Sequence, residues 1–160
     1  MKEYPHIHLS LPRFFTGDEY YRVYFYEDTL VFVKLGGQFH HENLLEQAGL
    51  FGAILFYIPY KIARKRQEKR EAYVDAVLVK KGMKALLKER KSFQLKQSEI
   101  KKMIFRTNWK TQIFSNYDKH LHILKKDGTS LKAGISYGQS KNYVLNKLTK
   151  KGYLVEEENE

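Results

Sequence analysis

Six histidines offer the most suggestive chemistry in the chain, and they come in pairs: His6-x-His8, His40-His41 and His120-x-His122. On a β-strand, residues i and i+2 point to the same face, so His120 and His122 can present two imidazoles to one metal ion. A metal centre needs three or four ligands. Asp118 and Glu42 are suitable in kind, but no spacing brings them to the pair. Solvent-facing histidines are the commoner result of such spacing, so neither a metal nor a cofactor is expected. Other catalytic chemistry is thinner still. The chain has no cysteine, which removes thiolate nucleophiles, disulfides and Cys-based zinc sites. "GLFG" and "KDGTSLKAG" lack the spacing and the Lys-Ser/Thr ending of a phosphate-cradling loop, and "HHENLLEQ" lacks the second histidine of a zincin. No serine sits in a nucleophile-elbow context. The expectation is a protein that is not an enzyme.

Charge carries a stronger signal. A formal net charge of +11 over 160 residues favours polyanionic company: nucleic acid, anionic lipid headgroups or an acidic protein. Lys61, Arg64, Lys65, Arg66, Lys69 and Arg70 stand within ten residues against Glu68 alone, which makes them the candidate polyanion-binding set. A second basic stretch runs through Lys80, Lys81, Lys84, Lys88, Arg90, Lys91, Lys96, Lys101 and Lys102.

Immediately before the first block, the thirteen residues Ala48 to Tyr60 pass without a charge. At 1.5 Å per residue they cover about 20 Å of a hydrocarbon layer about 30 Å thick, too short for a spanning helix. Ala48, Gly49, Gly52 and Ala53 place small residues on one side of that helix, a face that lets a second helix, a sheet or another copy come close. Gly49, Gly52 and Ala53 are therefore the candidate helix-packing or oligomer face. Phe56, Tyr57 and Tyr60, followed directly by Lys and Arg, have the texture of a headgroup-level belt. A buried or dimer-contact helix and an interfacial membrane element both remain open.

The elements that must position these groups follow from periodicity. After a Pro-punctuated leader, "YYRVYFYEDTLVFVKL" reads as a hairpin turning at Glu27-Asp28 and closed by Gly36-Gly37. From about 40 to 90 the pattern is helical, with Pro59 expected to kink or end the first helix and Gly82 to break the second. From Ser92 the period returns to two. "SFQLKQSEIKKMIFRT", "KTQIFSNY", "HLHILKK" and "TSLKAGIS" read as short strands, with Asp127-Gly128 expected to make a two-residue hairpin turn. Ser140 can cap a last helix bearing a stripe of Tyr143, Val144, Leu145 and Leu148, stopped by Gly152. The acidic tail, 156–160, is expected to fray. The leader lacks an apolar run with a small-residue cleavage site, so no secretory signal is read, and cytoplasmic residence, peripheral to a membrane, is expected.

This order, carried by "YRVYFYEDTLVFVKLGG", "GLFGAILFYIPYKIARKRQEKR", "SEIKKMIFR", "HLHILKKDGTSLKAG" and "NYVLNKLTKKG", resembles bacterial proteins of the pleckstrin-homology-like (PH-like) fold. The resemblance implies one α+β domain over 1–160. It would be an antiparallel β-sandwich or barrel of about seven strands with a C-terminal helix and an inserted helical hairpin at about 40–90. It also implies a non-enzymatic binding or assembly module, either docking at the inner face of an anionic membrane or self-associating through its insertion. Phosphoinositide-binding relatives use a basic pair in the first hairpin, where this chain offers only Arg22 and Lys34 around Glu27 and Asp28. That ligand is not carried over. The expected partners are another copy, a protein or an anionic membrane surface. The alternative is a basic domain that binds RNA or single-stranded DNA, with Phe105, Trp109, Phe114 and Tyr117 available to stack on bases.

Overall fold

The computed structural model describes residues 4–12, 18–37, 49–107, 119–136 and 139–159, and for 49–56, 59 and 159 the backbone alone. Strands β1 (His6–Leu11), β2 (Glu19–Tyr26) and β3 (Thr29–Gly36) come first. Helix α1 (Gly49–Lys81) and a single turn, α2 (Met83–Leu86), follow. The chain then returns to β4 (Phe93–Lys96), β5 (Ile100–Thr107), β6 (Lys119–Lys125) and β7 (Ser130–Ile135), and ends with α3 (Lys141–Lys150) and β8 (Val155–Asn159). The strands form one open sheet in the order β4-β3-β2-β1-β7-β6-β5-β8. Every neighbouring pair is antiparallel except β5 and β8, which run parallel because α3 carries the chain across between β7 and β8.

Alternation along the strands sends one set of side chains to a single core. Ile7 and Leu9, Tyr21, Val23 and Phe25, Leu30 and Phe32, Met103 and Phe105, and Leu121 and Ile123 all join it, with Val144 and Leu148 of α3 laid against them. Phe32 and Phe93 stack at 4.4 Å between ring centroids. The other face of β2 and β3 is also covered. Tyr20, Tyr24, Val31, Val33 and Leu35 pack under Val74 and Val77 of α1 and Met83 and Leu86 of α2. Full burial of Val74 and Leu86 stabilises that contact by about 1.5–3 kcal/mol each. Two covered faces explain why "YYRVYFY" shows no polar alternation.

Several expectations hold locally. Glu27 and Asp28 make the β2–β3 turn, with Tyr26 opposite Thr29. Gly82, at φ +77°, separates α1 from α2 in a backbone region that favours glycine. Ser140 caps α3 by accepting from the Tyr143 N–H at 3.1 Å, and Gly152, at φ +79°, follows its end.

Others need correction. Among the described residues eight strands stand where seven were expected, and their sheet is open and mixed rather than a purely antiparallel sandwich. The "leader" is β1, a central strand whose inward Ile7, Leu9 and Leu11 alternate with outward His6, His8 and Ser10. The inserted hairpin is one 33-residue helix followed by a four-residue turn. Pro59 lies inside that helix, which forgoes one i→i−4 bond there and continues. The Lys126-Asp127-Gly128 turn closes three residues rather than two. The Gly128 N–H bonds the Lys125 carbonyl at 3.2 Å and the Lys125 N–H bonds the Thr129 carbonyl at 2.9 Å, with Gly128 at φ +85°. In α3, Val144 and Leu148 are buried but Tyr143 is exposed. Residues 156–159 of the expected frayed tail belong to β8, where Glu156, Glu157 and Glu158 pair with Lys102, Lys141 and Arg106. The expected strand "KTQIFSNY" lies outside the described residues.

Candidate polyanion-binding surface

Thirty-three residues of helix extend about 50 Å, more than the sheet can cover. Its C-terminal part is fixed firmly. Arg22 of β2, with its side chain only 7% exposed, reaches out of the sheet to Asp75 at 2.5 Å and Glu71 at 3.3 Å. Its Nε donates to His8 Nε2 at 3.0 Å, so the His8 proton sits on Nδ1. Burial, reinforced by the Arg22 charge, pushes the His8 imidazole down to about 3 and keeps it neutral. Burial also lowers His6, whose Nδ1 lies 3.2 Å from the Tyr4 carbonyl. A second tie runs from Arg70, which donates to the Lys34 carbonyl at 3.3 Å and to Glu89 at 2.9 Å. Beside it Glu19, buried at the start of β2, accepts from Lys34 at 2.7 Å, from Lys91 at 2.5 Å and from the Tyr21 hydroxyl at 3.0 Å. Burial alone would raise that carboxyl, but the three donors more than offset it and hold it near 2.

The six sequence-derived cations therefore divide. Arg70 is committed inward, and Arg64 bonds its own-helix neighbour Glu68 at 3.0 Å. Lys61, Lys65, Arg66 and Lys69 are exposed on the outer side of α1, with Lys61 Nζ over the Tyr57 ring at 4.5 Å. The same side carries apolar groups in water: Tyr57 is 46%, Ile58 68% and Ile62 49% exposed. The spacings 57-61-65 and 58-62-65-69 are helical i, i+3 and i+4 steps, which gather these residues into one stripe. Nothing in the segment 57–69 whose side chains are described is fully buried. Sequence reading placed the charge and Tyr57 but did not single out Ile58 and Ile62 as apolar partners.

The Gly49, Gly52 and Ala53 face lies outside the described side chains. So do His40, His41, Glu42, Trp109, Phe114, Tyr117 and Asp118. Phe105, expected to be available for base stacking, is 1% exposed and points into the core. Arg22 and Lys34, the basic residues of the first hairpin, are occupied by Asp75, Glu71 and Glu19. Among the described residues no three His, Asp or Glu side chains converge as a metal site, and no helix is long and apolar enough to cross a membrane. No protein-family model, curated protein or solved structure matches the chain.

Proposed function

We propose that this chain is a non-enzymatic binding module of PH-like build that docks on an anionic membrane surface through the outer side of α1. The strand order β4-β3-β2-β1-β7-β6-β5, followed by a helix after β7, supports the PH-like reading. One observation carries the docking: Tyr57, Ile58 and Ile62 share an exposed helix side with Lys61, Lys65 and Lys69, with exposed Arg66 at its margin. An interfacial helix needs both components. Its apolar side chains enter the headgroup boundary, and each cation near an anionic leaflet contributes about 1 kcal/mol. Three large apolar groups among the lysines suit a lipid boundary better than they suit a solvated face or a nucleic-acid backbone. The Arg22 and Arg70 ties would hold the helix rigidly against the sheet, so the module meets the bilayer in one orientation.

Co-sedimentation with vesicles tests this. Retention by phosphatidylserine-containing vesicles, weakened by salt and lost on Ile58→Ser with Ile62→Ser, is expected. Equal retention by pure phosphatidylcholine vesicles, or unchanged retention of the double variant, would refute docking by this stripe. Retention of single-stranded nucleic acid with no vesicle binding would favour the nucleic-acid alternative instead.

A further inference from the structure

Where α1 turns into α2, beyond the C-terminal end of the outer stripe, a cleft of about 480 Å³ opens. Tyr73, Val77 and Lys81 line it at i, i+4 and i+8 along α1, and Lys84, Ala85 and Lys88 face them from α2 and the turn beyond it. Gly82, in its positive-φ conformation, makes the corner that sets the two walls against each other. We infer that this cleft binds a phosphomonoester carried on a small apolar body.

Three features fit that class. Lys81, Lys84 and Lys88 line one opening; none forms an ion pair among the described residues, although Lys81 lies within electrostatic reach of Glu89. Glu89, the one carboxylate lining the cleft, is already satisfied. It accepts from Arg70 at 2.9 Å and from the Tyr73 hydroxyl at 2.9 Å. Hydrogen bonding from Arg70 holds it below the usual carboxylate range, with a smaller attraction from Lys81, so it stays ionised with its oxygens already occupied by Arg70 and Tyr73. A phosphomonoester has a charge of about −1.5 to −2 and three acceptor oxygens, which suits three ammonium donors better than a carboxylate does. Lysine, as a mobile point charge, is a common phosphate ligand. The floor is apolar: Val77 is 8% exposed, Ala85 is half-buried and the Tyr73 ring stands at the side. The volume lies within the range of small-molecule sites, about 300–1,000 Å³. The cleft begins at Tyr73, one helical turn beyond Lys69, and shares no residue with the outer stripe, so its ligand can be tested apart from docking.

Phenyl phosphate is a suitable probe for the full-length protein, read by NMR of the Val77 and Ala85 methyl groups. Saturable shifts at both methyls are expected, with inorganic phosphate binding more weakly. Lys84→Gln with Lys88→Gln should weaken the probe at least about tenfold, and because both residues are exposed the fold should be retained. Absent methyl shifts, or affinity unchanged in that variant, would overturn the site. A second arm identifies the natural source. If phosphatidic acid vesicles retain the wild type and phenyl phosphate displaces it, with no such effect in the variant, the source is a lipid headgroup. If vesicle retention is the same in both proteins while phenyl phosphate still binds the wild type, the source is a soluble phosphorylated molecule.

Discussion

Replacing Glu19 by Gln keeps the shape of a buried side chain and removes one charge. Glu19 is 3% exposed and receives Lys34, Lys91 and the Tyr21 hydroxyl, so it joins β2 to β3 and to the turn beyond α2. Its carboxyl stands near 2 in the folded chain against 4.5 for the free group. The depressed value means that folding gains stability in full above about pH 4.5 and loses it as the pH falls towards 2. That difference corresponds to about 3 kcal/mol at neutral pH, and solvent around the 47%-exposed Lys91 reduces it to about 2. Urea unfolding of wild type and Glu19→Gln across a pH series measures the effect directly. The variant should be less stable by about 2 kcal/mol at pH 7, and the gap should close between pH 4.5 and 2. His8 also titrates on unfolding, but it is common to both proteins, so the difference isolates the carboxyl. A gap under about 0.5 kcal/mol at pH 7, or one independent of pH, would refute the reasoning.

His8→Gln keeps an acceptor for Arg22 but removes the titration. Wild-type stability should fall by up to about 4 kcal/mol as the pH drops from 6.5 towards 3, because the unfolded chain binds a proton that the buried imidazole refuses. The variant should lose that slope. Arg22→Met removes the cation shared by Glu71 and Asp75 and should cost about 2–3 kcal/mol, with amide exchange accelerating first in 70–81. Gly82→Ala meets no neighbour within 4 Å, so its cost, about 1 kcal/mol in thermal or urea unfolding, should come from the positive φ alone. Reversing Glu156 and Glu158 to Lys should expose the β5 amides to exchange while changing global stability by less than about 1 kcal/mol per partly exposed pair.

The local grammar of the chain was legible. Glu27-Asp28, Gly82, Ser140 and Gly152 each act through a backbone conformation or a cap that depends on immediate neighbours. What escaped depended on distant ones. "HIHLSL" is a central strand because β2 and β7 pair with its two edges, and its outward histidines are tolerated because Arg22 and the neighbouring rings cover them. "VEEEN" has poor strand propensity, yet it pairs along β5 because Lys102, Arg106 and Lys141 neutralise its three glutamates. Arg22 looked like one of two hairpin cations. Its acidic partners lie 49 and 53 residues away on α1, a distance no periodicity reveals. In the polyanion set, the inward commitment of Arg70 was hidden for the same reason.

Because the chain has no cysteine, Ile62→Cys gives a single labelling position in the middle of the outer stripe of α1. A fluorophore there, read against quenchers fixed at known bilayer depths, measures docking most directly. On phosphatidylserine-containing vesicles the label should be quenched from the headgroup boundary, whereas the same label at Lys126→Cys on the β6–β7 turn should stay in water. An Ile62 label left as fully hydrated as the Lys126 one would contradict the account.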